Sequence, residues 1–126
     1  MRLTICLTAA LALAASSAPA LAKAARTATP QVNHTSWSYL YQGKKTRMTI
    51  DADGNYIENT VSGKHLDHGT AALKDGKICF DSKMDQPEQC WTMKAVGVGH
   101  SFVSTSDKGR KLRVTRVNYI TLKMPG

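Results

Sequence analysis

The sequence predicts an all-β domain: a small antiparallel meander or (half-)barrel of about seven or eight short strands, stapled by one disulfide. Three observations carry this. Apolar and polar residues alternate with a period of two in segment after segment, as side chains do along a pleated strand. Turn signals such as Asp53-Gly54, Asp75-Gly76 and Lys108-Gly109 separate those segments. Cys79 and Cys90 lie in two neighbouring strand-like stretches, and no stretch of useful length has a helical period. A sheet of this kind must hide its edges, most simply by curling on itself.

The N-terminus reads as an export signal over residues 1–22. Arg2 supplies the positive start, Leu3 to Ala15 the apolar run, and Ala20-Leu21-Ala22 a small-residue cleavage site. The apolar run is shorter than the ~20 residues a spanning helix needs, so a soluble periplasmic or secreted product without a transmembrane segment is expected. Cys6 leaves with the signal. That strands an even pair, Cys79 and Cys90, in an oxidising compartment where a disulfide is their natural fate. Residues 23–35 (KAARTATPQVNHT) read as a flexible leader, and residues 36–126 as a single β domain.

The chain carries 17 Lys+Arg against 9 Asp+Glu, a net charge of +8, of which the signal removes only Arg2. Such a surplus favours anionic partners: anionic lipid, lipopolysaccharide or acidic polysaccharide, or an acidic protein. Nucleic acid is not expected of an exported chain without a recognised nucleic-acid motif.

In chain order, Trp37-Ser38-Tyr39-Leu40-Tyr41 places Trp37, Tyr39 and Tyr41 on one strand face and Leu40 on the other. Lys45 to Thr60 is the clearest hairpin, with Met48, Ile50 and Ala52 alternating with Arg47, Thr49 and Asp51. Two turns are open. A two-residue Asp53-Gly54 loop pairs Ile50 with Ile57, whereas a type I turn from Asp51 to Gly54, with Gly54 left-handed, pairs Ile50 with Tyr56. Asp at the first turn position and Gly at the fourth favour the second, which makes Tyr56 a core residue. Asn59 to His68 reads as a polar turn leading to a short strand at Gly69–Leu73, and Asp75-Gly76 as the next tight turn.

Pairing Cys79 with Cys90 sets Ile78 opposite Trp91 and Phe80 opposite Gln89. Ile78, Phe80, Trp91 and Met93 then share one face and the sulfurs the other. A ring of that size contributes roughly 3 kcal/mol on a chain-entropy argument. Beyond it, Ser101–Thr105 is a strand, and Arg110–Lys123 is one long or broken strand in which Leu112 and Val114 share a phase, with a bulge or bend near Arg116.

Candidate chemistry is sparse. Asp51-Ala52-Asp53-Gly54-Asn55 has Gly54 at the fourth position where a calcium loop needs it at the sixth, and the turn accounts for every residue. His65 and His68 are three apart, which on a regular strand puts them on opposite faces. With His34 and His100 remote in sequence, solvated loop histidines are the expectation, with no metal site and no cofactor. There is no Gly-x-Ser-x-Gly elbow and no paired-acid signature, and the cysteine spacing is not that of a redox Cys-x-x-Cys. No enzymatic activity is therefore expected. The densest charge cluster, Lys108, Arg110, Lys111, Arg113 and Arg116, is the candidate anion-binding site. The plainer alternative is a solvated edge strand protected by its charges.

From Met48 to Val117 the order of pieces resembles a loose group of small exported single-disulfide β-meander proteins of Gram-negative bacteria, mostly of unknown function. The matching pieces are Asp53-Gly54-Asn55-Tyr56, Gly69-Thr70, Asp75-Gly76-Lys77-Ile78-Cys79 and Cys90-Trp91-Thr92. Ala71 stands where the group usually has an aromatic. The resemblance implies turns and a disulfide but no catalytic residue. The expected function is a non-catalytic binding protein for an anionic envelope component. The alternative is a proteinaceous inhibitor of a secreted or host hydrolase, probing with the loop Asp81–Glu88.

Overall fold

A computed structural model describes residues 28–125. The expected export signal and the first part of the expected leader lie outside the described residues. Eight strands follow in order: β1 (Thr35–Tyr41), β2 (Lys44–Ile50), β3 (Asn55–Thr60), β4 (His65–Lys74), β5 (Lys77–Ser82), β6 (Gln89–Thr92), β7 (Ser101–Thr105) and β8 (Lys111–Val117). Neighbours in sequence pair antiparallel from β1 to β6 and from β7 to β8, and β8 returns to pair with β1. The sheet thus curls into a nearly closed barrel whose seam lies between β6 and β7. Side chains do much of the joining there. Ser104 Oγ donates to Thr92 O (2.7 Å), the Thr105 amide to Thr92 Oγ1 (2.9 Å), and the Asp107 amide to Cys90 O (3.0 Å).

Three hairpin connections share one local device. The Gly54 amide bonds Asp51 O, the Gly63 amide Thr60 O, and the Gly109 amide Ser106 O, with each glycine at positive φ. In each, the first residue's side-chain oxygen accepts the amide of the residue after the glycine. Asp51 Oδ1 takes Asn55 N (2.9 Å), Thr60 Oγ1 takes Lys64 N (2.9 Å), and Ser106 Oγ takes Arg110 N (3.0 Å). This is a type I turn with a left-handed glycine, locked by its own first side chain. At Asp51 it gives the second of the two registers open in the sequence: Ile50 pairs with Tyr56, and Tyr56 is 1% exposed.

The stapled hairpin follows the predicted register. Cys79 and Cys90 are directly opposed and disulfide-bonded, with Ile78 against Trp91 and Phe80 against Gln89. Strand β4, by contrast, begins at His65 rather than near Gly69. Glu58 pairs with Asp67 and Asn59 with His65, so Leu66 is an extra residue bulged out of the ladder. The bulge admits the polar His65–His68 stretch to the sheet.

Both ends of the described chain pack on the barrel. Val32 is buried in the core cluster with Met48, Ile50, Tyr56, Ala71 and Ile78, and the His34 ring stacks on Tyr119 at 3.9 Å between centroids. The last residues of the expected 23–35 leader, from Val32 to Thr35, are therefore packed on the domain expected to begin at residue 36. After β8 the chain leaves the ladder at Val117 instead of continuing as a strand to Lys123. Ile120 O accepts from Thr49 Oγ1 (2.6 Å), and Ser36 Oγ accepts the Ile120 amide (2.9 Å). Asn59 Nδ2 reaches Lys123 O at 3.2 Å. This C-terminal strap crosses the outer face of β1, β2 and β3 and covers the buried Ser36 and Thr49 hydroxyls. No helix among the described residues is long and apolar enough to cross a membrane.

Candidate functional site: the barrel lumen and its basic rim

Alternation sends one side chain in two from each strand into the barrel. Trp37, Tyr39 and Tyr41 enter from β1, Met48 and Ile50 from β2, and Ile78 and Phe80 from β5. Trp91 enters from β6, Phe102 from β7, and Leu112 and Val114 from β8. They enclose a cavity of about 240 Å³. The rings are fixed by their neighbours: Phe80 meets Tyr56 edge-on at 5.0 Å, and Trp37 meets Phe102 edge-on at 6.0 Å. Ala71, which stands where the resembling group usually has an aromatic, belongs to the packed core cluster.

Val32 belongs to the core cluster, and Arg116, which has the phase of Leu112 and Val114, donates from Nη1 to Val96 O (2.9 Å) and from Nη2 to Gln31 Oε1 (2.8 Å). The lining passes through Tyr41, Leu66 and Leu112 to exposed Gln86 and Pro87 in the β5–β6 connection, which forms a mouth.

One polar patch interrupts this apolar wall. Asp67 accepts the Tyr56 hydroxyl on Oδ2 (2.8 Å) and, on Oδ1, the Ser82 hydroxyl (2.6 Å) and the His68 amide (2.9 Å). Burial, reinforced by the hydrogen bond to Asp67, pushes the Tyr56 phenol up. Glu58 stands opposite Asp67 across the β3–β4 pair. Burial raises its carboxyl; the Tyr39 hydroxyl pulls it down less strongly, and the like charge of Asp67 raises it further. Burial followed by the charge of Glu58 likewise holds the Tyr39 phenol well above its ordinary value. The lumen can accept hydrogen bonds at Asp67, but it repels an anion.

The structure separates the five basic residues. Lys108 and Arg110 lie in the β7–β8 turn, and the Arg110 guanidinium stands 5.4 Å from the centre of the Tyr41 ring, itself part of the lumen wall. Lys111 and Arg113 share the exposed outer face of β8. Arg116 is tied to Val96 and Gln31. β8 lies between β1 and β7, so it is not an edge strand.

No protein-family model, curated protein or solved structure matches the chain.

The carboxylate patch was not flagged by the sequence, because Glu58 and Asp67 sit on different strands and only the bulge at Leu66 sets them opposite one another. The two cysteine sulfurs and Glu88 form a cluster of metal-ligating type, but the sulfurs are bonded to each other and offer no thiolate. The Asp81–Glu88 loop serves as a wall of the mouth through Gln86 and Pro87, and Lys74 pairs with Glu88 at 3.4 Å.

Proposed function

We propose that the chain is an exported, non-catalytic binding protein for a small anionic amphiphile, its apolar part in the lumen and its charged end at the β7–β8 turn, where Arg110 stands over Tyr41 and Lys111 on the adjoining outer face adds to the positive field. The observation that carries this reading is the continuity of an aromatic cavity of about 240 Å³ with Tyr41, on which Arg110 stands. An eight-stranded barrel is just wide enough to hold one small ligand. At the ~30 Å³ a water molecule occupies in the liquid, the space takes roughly eight heavy atoms. Glu58 and Asp67 within, set against the basic rim, orient such a ligand by keeping its anionic group out of the lumen. The disulfide suits an oxidising compartment such as the periplasm.

Octanoate, octanol and octylammonium share one chain and differ in head-group charge. Titrating each into the disulfide-bonded protein, followed by Trp37 and Trp91 fluorescence, tests the reading. Octanoate should bind tightest, and Arg110→Ala with Lys111→Ala should weaken it about tenfold, about 1.4 kcal/mol, leaving octanol unchanged. Equal affinity for octanoate and octanol defeats the basic rim; tighter binding of octylammonium makes the carboxylates the selecting groups instead. Binding of none of the three, with capture of an acidic hydrolase through the Asp81–Glu88 loop, would favour the inhibitor alternative.

A further inference from the structure

The bulge at Leu66 resets the alternation of β4, and His65 and His68, expected on opposite faces, come together. His65 Nε2 lies 3.0 Å from His68 Nδ1, with the ring centroids 5.2 Å apart. Neither ring lines the lumen, so what they do is independent of the ligand reading above.

The proton positions follow from the neighbours. Asn59 Nδ2 donates to Lys123 O (3.2 Å), which fixes the amide and leaves Oδ1 facing His65 Nδ1 at 2.8 Å. An amide oxygen only accepts, so His65 carries its proton on Nδ1, and its Nε2 lone pair points at His68. A histidine whose far N–H is held by an oxygen acceptor while its other nitrogen carries a lone pair and no proton is the usual arrangement of a metal ligand.

We propose that His65 Nε2 and His68 Nδ1 form a two-histidine site for a divalent late first-row transition metal, Cu(II) foremost. Two bonds of about 2.0–2.1 Å meeting at a right angle separate their nitrogens by about 2.9 Å, and at the tetrahedral angle by about 3.3 Å. The observed 3.0 Å, set by the hydrogen bond of the metal-free pair, already brings the two nitrogens into that range, and Cu(II) stands highest in divalent affinity for such donors. In the metal-free pair, His68 Nδ1–H donates to His65. Binding moves that proton to His68 Nε2 through solvent and turns chiefly the His68 ring, His65 staying on Asn59 Oδ1, so that the two lone pairs converge on one point. No net proton is released by the neutral pair, and water completes the coordination. Asn59 is then a positioning residue that holds His65 in the ligating tautomer.

Cu(II) titration of the disulfide-bonded protein, with NMR of the ring protons and electron paramagnetic resonance, tests this. The expected result is one tightest ion with imidazole nitrogen couplings, and paramagnetic broadening first at His65 and His68. His65→Ala and His68→Ala should each weaken binding at least about tenfold, and Asn59→Leu about tenfold as well, as loss of an outer-shell partner does. His34→Ala and His100→Ala should leave binding unchanged. Asn59→Asp, whose carboxylate accepts the Nδ1–H more strongly, should tighten it. Retention of full affinity in the His65/His68 double variant, or first broadening at His34 or His100, would overturn the site. So would the absence of any Cu(II) binding by a protein whose spectrum shows it folded.

Discussion

Glu58 and Asp67 stand directly opposite each other on β3 and β4, and both carboxyl groups line the lumen. Like charges in a cross-strand pair oppose each other, and the barrel resolves the conflict by giving them different surroundings. Asp67 has three hydrogen-bond donors, whereas Glu58 has its carboxyl raised by burial and by its neighbour.

That asymmetry predicts a pH dependence. A carboxyl raised on folding binds its proton more tightly in the folded state, so its favourable contribution is complete below the unfolded value of 4.5 and is lost as pH rises through the folded value. Glu58→Gln keeps the shape and removes the titration. It should raise the melting temperature by a few degrees at neutral pH, with the gain vanishing near pH 4. Thermal melts of both proteins across that range check it; an equal effect at both ends would rule out the charge as its cause.

Gly69 lies where a side chain has no room. A Cβ there would run into the Asp81 carbonyl on β5, a backbone group that cannot step aside without breaking the β4–β5 ladder. Gly69→Ala should cost more than about 3 kcal/mol, at the severe end for a single substitution, whereas Gly43→Ala, with open space around it, meets only the penalty of its turn conformation. Urea unfolding of the two variants compares them.

Removing the disulfide as Cys79→Ser with Cys90→Ser should lower stability by about 3 kcal/mol on the loop-entropy argument. The loss should match that caused by reducing the wild-type protein, which denaturation with and without reductant measures. A loss in the double variant well beyond that of reduction would point to Cys79, only 5% exposed, as a packing residue in its own right.

The C-terminal strap is held by hydroxyls. Thr49→Val retains the shape but takes from the half-buried Ile120 O its 2.6 Å donor and leaves it the longer bond from Ser36 Oγ (3.3 Å), which should cost about 1 kcal/mol, the net worth of one hydrogen bond. Hydrogen exchange should show the Ile120 amide, bonded to Ser36 Oγ, opening before the β2 amides beneath it.

What was legible in the sequence was whatever local chemistry decides alone. Asp51 and Gly54 set the turn that pairs Ile50 with Tyr56, and two cysteines in alternating strands set the partners of Ile78 and Phe80. The rest depends on groups far apart in the chain. The bulge at Leu66 leaves no mark in the alternation of a polar stretch, so His65 and His68 looked separated and β4 looked short. Arg116 reads as one more free surface cation, but distant parts of the chain supply it with acceptors at Gln31 and Val96. The alternation in Tyr119–Lys123 suggested more strand until Ser36 and Thr49 claimed the backbone of Ile120.

The join between β6 and β7 has a mechanical consequence. Elsewhere around the barrel continuous ladders hold neighbouring strands, but here the four-residue β6 meets β7 through a lone bridge, Trp91 to Ser106, and a few side chains. Lys77 reaches past β6 from β5 to grip Asp107 at 2.8 Å, and the Cys79–Cys90 bond fastens β6 from behind. A wall built this way parts like a coat whose buttons are few but whose lapel is sewn down: a guest too bulky for the mouth could slip in sideways, and reduction of one covalent bond would decide how wide that opening swings.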